Sequence, residues 1–265
     1  EAGIKPNFEV IEEAQEKLLL QKAQQEVFKR AQVNDELKHI VTTINAKLHE
    51  DNFAELVSIL LNKKEQLALL KENLFGVEGV VDEVFKGFSV ARHADEESIF
   101  AEFLRDIGGD KDNWAPQQVR GDSMGVRGEN TISSVVPHLL QGPFGLSELV
   151  LALQESGLSS NAKIATAISD FLQNPSLNTF PHYQQAFFTK EGTPRKINGK
   201  LLDDPNLANI VTHQLAVIHN FLDKLNSHKI CNATALLLKF VDQILEIYSG
   251  LKNQNCLLDY NDLII

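Results

Sequence analysis

"DPNLANIVTHQLAVIHNFLDKL", Asp204 to Leu225, and "NATALLLKFVDQILEIYSGL", Asn232 to Leu251, decide the fold class. In the first, Leu207, Ile210, Val211, Leu215, Ile218, Phe221, Leu222 and Leu225 recur at helical spacing and form one apolar stripe. Asp204-Pro205 reads as an N-cap followed by proline at the first helical position, where its missing N–H costs nothing. The second stretch repeats the pattern on Leu236, Leu237, Phe240, Val241, Ile244, Leu245 and Tyr248. A short polar connection separates them, so the expectation is two long helices packed antiparallel.

The same period extends over most of the chain. Ala14, Leu18, Leu19, Ala23, Val27 and Ala31 predict a helix over 12–32, and helical spacing continues from Asp35 to Leu74. Residues 76–92 are less periodic. "DEESIFAEFLRDIGG" restarts a helix with acids in its first turn and stops it at Gly108-Gly109. Ser147 is expected to cap "SELVLALQES", and Asn161 to begin a helix that Pro175 ends. Between Gly108 and Gly145, a stretch that contains Trp114, loops and turns are expected around a helix near 130–141. Phe8, Val10 and Ile11 suit a brief strand, and a small hairpin is expected near 187–198. The class expected is all-α.

The chain has 265 residues, 43% of them hydrophobic and 23% charged, which is the balance of a globular protein of one or two domains. It begins at Glu1 and its single Met is Met124, so a processed or excised piece of a larger protein is expected. No apolar run approaches the ~18 residues of a membrane span, and no secretory signal is recognisable, so a soluble, cytoplasmic protein with no membrane partner is expected. Cys231 and Cys256 are too few for a disulfide scaffold and read as reduced structural thiols.

A net charge of -11 argues against a general grip on nucleic acid, which needs clustered Lys and Arg. One stretch departs from this balance. In "AFFTKEGTPRKINGK", Ala186 to Lys200, four cations, Lys190, Arg195, Lys196 and Lys200, face the single acid Glu191, a local +3.

Catalytic motifs fail on their spacing. A phosphate-binding loop needs four residues between its glycines and Ser or Thr after its lysine, but six residues separate Gly192 from Gly199, and Leu201 follows Lys200. The eight histidines make no His-Glu-x-x-His pair, so no metal site is expected. There is no Gly-x-Ser-x-Gly elbow, and neither cysteine has an evident activating partner. No catalytic residue is assigned. Asp259 and Asp262, three apart in "LLDYNDLII", would share one face if they lay on a helix.

Three segments carry a family resemblance. "YSGLKNQNCLLDYNDLII", with Tyr248, Lys252, Leu258, Asp259, Tyr260, Asp262 and Leu263, resembles the Y-x-x-x-K-x-x-x-x-x-LDFDDLI segment of UvrD/Rep-like superfamily 1 DNA helicases, with Tyr260 for the usual Phe. "EAGIKPNFEVIEEAQ", Glu1 to Gln15, resembles the segment that follows the Thr-x-x-x-x-Cys helicase motif in the AddA branch, the bacterial double-strand-break repair helicase-nucleases. "FFTKEGTPRK", Phe187 to Lys196, resembles that branch's FLT-x-x-G-x-PRK stretch. Between about residues 35 and 180 no family motif is recognised.

The resemblance implies a helical 1B-type insertion spanning 1–265, with 1–15 and 250–265 as junctions to a RecA-like motor domain outside this sequence. It implies DNA as partner through the parent helicase, further helicase domains, and a second subunit of an AddAB-like complex. ATP and Mg are implied for the parent and no cofactor for this stretch. Lys190, Arg195, Lys196 and Lys200 then become candidate DNA-phosphate contacts. Tyr248, Lys252, Asp259, Tyr260 and Asp262 become candidate motor-junction residues, with Leu258, Leu263, Ile264 and Ile265 expected to be exposed or poorly ordered. The competing expectation is a free-standing helical protein-interaction domain with an acidic surface.

Overall fold

The computed structural model describes residues 8–47, 50–108, 145–197, 200–259 and 262. Ten helices and two short strands stand among them. The helices are α1 (Glu13–Arg30), α2 (Asp35–Lys47), α3 (Glu50–Leu61), α4 (Lys64–Asn73), α5 (Val77–Gly87), α6 (Glu96–Gly108), α7 (Leu146–Glu155), α8 (Ser159–Gln173), α9 (Phe180–Phe187) and α10 (Pro205–Gln254). Strand β1 (Glu9–Val10) precedes α1, and β2 (Leu257–Leu258) follows α10. The all-α class is therefore correct. The expected helix near 130–141 and Trp114 lie outside the described residues.

The chain forms two compact units, one of Glu1–Arg92 with Ser227–Ile265, the other of His93–Asn226. In the first, Ala23 and Val27 of α1, Ile40 and Ile44 of α2, Val57 of α3, and Val81 and Phe85 of α5 share a buried core with Phe240, Val241 and Ile244 of α10. Phe240 has the rings of Phe28 and Phe53 within 5.5 Å of its own. The second unit is built on aromatic rings. Phe103 stacks on Phe221 at 4.5 Å, Phe171 stacks on Tyr183 at 4.4 Å, and Phe100, Phe180 and Phe187 close around them edge-on. The Tyr183 hydroxyl donates to the Gln214 side chain at 2.7 Å, which satisfies both buried polar groups.

Several local expectations need correction. The two helices expected over 204–225 and 232–251 are one helix of 50 residues, so they do not form an antiparallel pair. Between Asn206 and Ser249 there is no Gly or Pro to break the backbone. The buried stripe also crosses the polar-looking connection, because His228 and Cys231 are buried there and Ala235 continues the spacing. Residues 77–87 are helical despite their weak period, held by the burial of Val80, Val81 and Phe85. A Cβ at Gly79 would lie 1.8 Å from the Leu74 carbonyl oxygen, so this glycine marks the close approach of the end of α4 to α5. Between α8 and the hairpin, where no element was expected, lies α9, with Thr179 before it and Pro181 in its first turn. Helix α7 starts at Leu146, so Ser147 is inside it rather than its cap. Helix α8 starts at Ser159, and Asn161 is a buried side chain whose amide donates to the Ser156 hydroxyl at 3.0 Å.

Other boundaries match. Asp95 and Ser98 reciprocally cap α6, Asp204 accepts from the Asn206 amide at 2.8 Å at the start of α10, and α8 stops at Gln173, just before Pro175. The expected brief strand is β1, which pairs in parallel with β2 in the register Glu9 to Leu257 and Val10 to Leu258.

Candidate functional site: a basic hairpin and a buried ion cluster

The basic stretch folds as the expected hairpin in the second unit. Thr189 N–H donates to the Thr193 carbonyl at 2.8 Å and Gly192 N–H to the Thr189 carbonyl at 3.0 Å. Arg195 N–H returns to the Phe187 carbonyl at 2.7 Å, and Phe188 bridges Pro194 in antiparallel sense. Gly192 has φ +77°, the left-handed residue that a three-residue hairpin loop places after its type I turn. Phe187, Phe188 and Ile197 are buried and root this loop in the core. Lys190, Arg195, Lys196 and Lys200 are exposed, and among the described residues none of their side chains is ion-paired. The opposing acid, Glu191, is held below the usual carboxylate range by a hydrogen bond from the Thr189 hydroxyl and one from its own backbone. The hairpin thus offers cations on a fixed base, which suits backbone phosphate contact without base reading.

The second set lies in the first unit and looks inward. Helix α10 ends at Gln254, Cys256 turns the chain at φ +52°, and β2 leads straight into Asp259. Asp259 is 4% exposed. Its Oδ2 accepts from Lys64 Nζ at 2.9 Å, Lys252 Nζ at 3.0 Å and the Tyr248 hydroxyl at 3.0 Å. Lys252 also donates to Asp262 at 2.5 Å, and Lys64 to Glu16 at 2.6 Å. Both ammonium groups lie about 5 Å from the centre of the Tyr248 ring, at 5.1 and 5.0 Å, within cation–π range. Asp259 and Asp262 exchange bonds in the manner of a capping box, each backbone N–H donating to the other's carboxylate at 2.8 and 3.1 Å.

These contacts set the charges. Burial would raise the Asp259 carboxyl, but hydrogen bonds and charge from Lys64 and Lys252 outweigh it and hold the group well below the usual carboxylate range. Burial opposes charge on Lys64 too, yet its bonds to Glu16 and Asp259 raise it above the ordinary lysine value. Burial first, and then the neighbouring Asp259 carboxylate, push the Tyr248 hydroxyl upward, so it remains a donor.

The structure brings Tyr248, Lys252, Asp259 and Asp262 together and gives Asp259 its partners inside its own unit. Leu258 is half-buried rather than exposed, while Tyr260, Leu263, Ile264 and Ile265 lie outside the described residues. The sequence reading missed Lys64 and Glu16, which sit on other helices with no local spacing to mark them. Among the described residues, no group of three or more His, Cys, Asp or Glu is arranged to hold a metal ion.

The fold and its two sites define an all-α protein that carries a basic hairpin and an internally paired ion cluster. No family model matches the sequence, no curated protein matches it, and no solved structure matches the fold. No described helix is long and apolar enough to cross a membrane.

Proposed function

We propose that this chain is an accessory, DNA-engaging helical domain of an ATP-dependent UvrD/Rep-like helicase of the AddA branch, acting in recombinational double-strand-break repair. The ATP- and Mg-binding parts belong to the rest of that helicase, and the chain itself contacts DNA phosphates through Lys190, Arg195, Lys196 and Lys200.

The observation that supports this reading is the meeting of its two terminal family-like segments. Glu9 and Val10 come from the first, Leu257 and Leu258 from the last, and they pair strand to strand. An inserted domain needs its entry and exit close together, and this pairing meets that need. The third family-like segment forms the exposed hairpin, where cations suit a polyanion despite the chain's overall acidity.

The test is titration of a forked DNA duplex at low and moderate salt with the unmodified chain and with Lys190, Arg195 and Lys196 jointly replaced by Ala. The expected result is weaker binding by the variant and a log–log salt slope smaller by about 3, since each lost phosphate contact removes roughly 0.9. Equal binding and equal slopes would reject the hairpin as the contact. ATPase activity of the purified chain above background would reject the accessory-domain reading.

A further inference from the structure

The β1–β2 joint buries little apolar surface of its own. Each strand has two residues, Phe8 and Val10 are 45% and 37% exposed, and Leu257 and Leu258 are half-buried. Ile11 alone of this group enters the interior. A two-stranded ladder of this size has no independent stability in water. Beside it lies a cluster drawn from every neighbouring piece of chain: Glu16 from α1, Lys64 from α4, Tyr248 and Lys252 from α10, and Asp259 and Asp262 after β2. The backbone joins the same parts, since Glu9 N–H donates to Cys256 at 3.0 Å and Ile11 N–H to Leu258 at 2.9 Å, one residue before Asp259.

We propose that this ion cluster is a latch that closes residues 8–11 and 255–259, with Asp262, as one cooperative unit, able to open while the helices stay folded. Asp259 is its centre, because three donors from two helices converge on one oxygen and the turn to Asp262 hangs from the same residue. Breaking that centre leaves Lys64 and Lys252 partly uncompensated and releases β2. With β2 gone, β1 loses its only strand partner among the described residues. Opening therefore changes the direction of both chain segments together. The proposal does not depend on the helicase reading, because the latch is read out within this chain alone.

Amide hydrogen exchange on the full chain tests it, comparing the unmodified protein with Asp259→Asn and Lys64→Met. In the unmodified protein Glu9, Ile11, Asp259 and Asp262 should exchange together and well ahead of Val241 and Ile244 in α10, and both variants should speed those four together by about tenfold or more while they remain the first to exchange. Loss confined to Asp259 and Asp262, with Glu9 and Ile11 unchanged, overturns the coupling. Exchange of those four amides no faster than that of Val241 and Ile244 overturns the independence of the unit. If Asp259→Asn does not fold, Lys64→Met carries the test; if neither folds, the cluster belongs to the global core and the latch is rejected.

Discussion

Asp259 and Lys64 are 195 positions apart in sequence and 2.9 Å apart in space, and both are charged. Removing one partner of a buried pair leaves the other desolvated and unmatched, which costs more than the pair contributes. Lys64 keeps Glu16 when Asp259 is lost, so the penalty falls at the low end of the usual range. Asp259→Asn should destabilise the protein by about 3 kcal/mol in urea unfolding. A loss below about 0.5 kcal/mol would show that the cluster is solvated in solution.

The same pair fixes a direction of pH dependence. Asp259 has a folded pKa below its unfolded value, so its stabilisation is present above about pH 4 and fades as pH falls toward the folded value. Lys64 has a raised folded pKa, so its share is complete below about pH 10 and fades as pH rises through the folded value. The Tm gap between the unmodified protein and Asp259→Asn should therefore stay constant from about pH 5 to 9 and narrow on acidification below 4. A gap that widens toward acid has the wrong sign for this assignment.

Continuity of α10 is testable at Asn226, an exposed position in the connection expected to be a loop. Proline inside a helix removes an N–H donor and clashes with the carbonyl four residues earlier, here Leu222. Asn226→Pro should cost about 3 kcal/mol or more and reduce helical circular dichroism. If the connection were a loop, the same substitution would be nearly silent.

Substitutions in the hairpin should separate binding from folding. Joint replacement of Lys190, Arg195 and Lys196 by Ala removes exposed side chains with no ion partner among the described residues, so each change should lie within about 0.5 kcal/mol of neutral. Gly192→Ala meets open space but a left-handed backbone, and should cost about 1 kcal/mol. Thermal unfolding in parallel with DNA titration checks both. A large Tm loss in the triple variant would mean that these cations hold the hairpin rather than serve it.

In the aromatic core, Tyr183→Phe keeps the ring and strips Gln214 of its donor. An unsatisfied buried acceptor costs about 1–3 kcal/mol, and chemical denaturation should show that loss. No loss would mean that water reaches Gln214.

The fold was legible where burial and hydrophobicity coincide. Helices α1, α4, α6 and most of α10 follow from apolar spacing, and Asp204-Pro205 marks its start. Legibility failed where a polar residue occupies a buried position or a glycine answers a tertiary demand. His228 and Cys231 continue the buried side of α10 but resemble a connection, and Gly79 resembles a helix breaker while admitting the Leu74 carbonyl. The hairpin was readable because cations, glycine and proline lie within one short stretch. The ion cluster was half readable. Tyr248 and Lys252 are four apart on one helix, but Glu16 and Lys64 face Asp259 only after the chain has folded. Asp259-x-x-Asp262, set after a helix stop, has the spacing of a reciprocal cap, a signal available in the sequence but first read as one face of a helix.

The parallel pairing of β1 with β2 also orders events in time. Synthesis from the N-terminus produces Glu9 early and Leu257 long afterwards, so on the ribosome the first strand waits for a partner while α1 to α9 are already being made. Glu16 and Lys64 are made early, but Asp259 arrives late. This makes closure of the joint a late step in folding, and a nascent chain halted before residue 257 would keep Phe8 and Val10 available to any other extended strand it met.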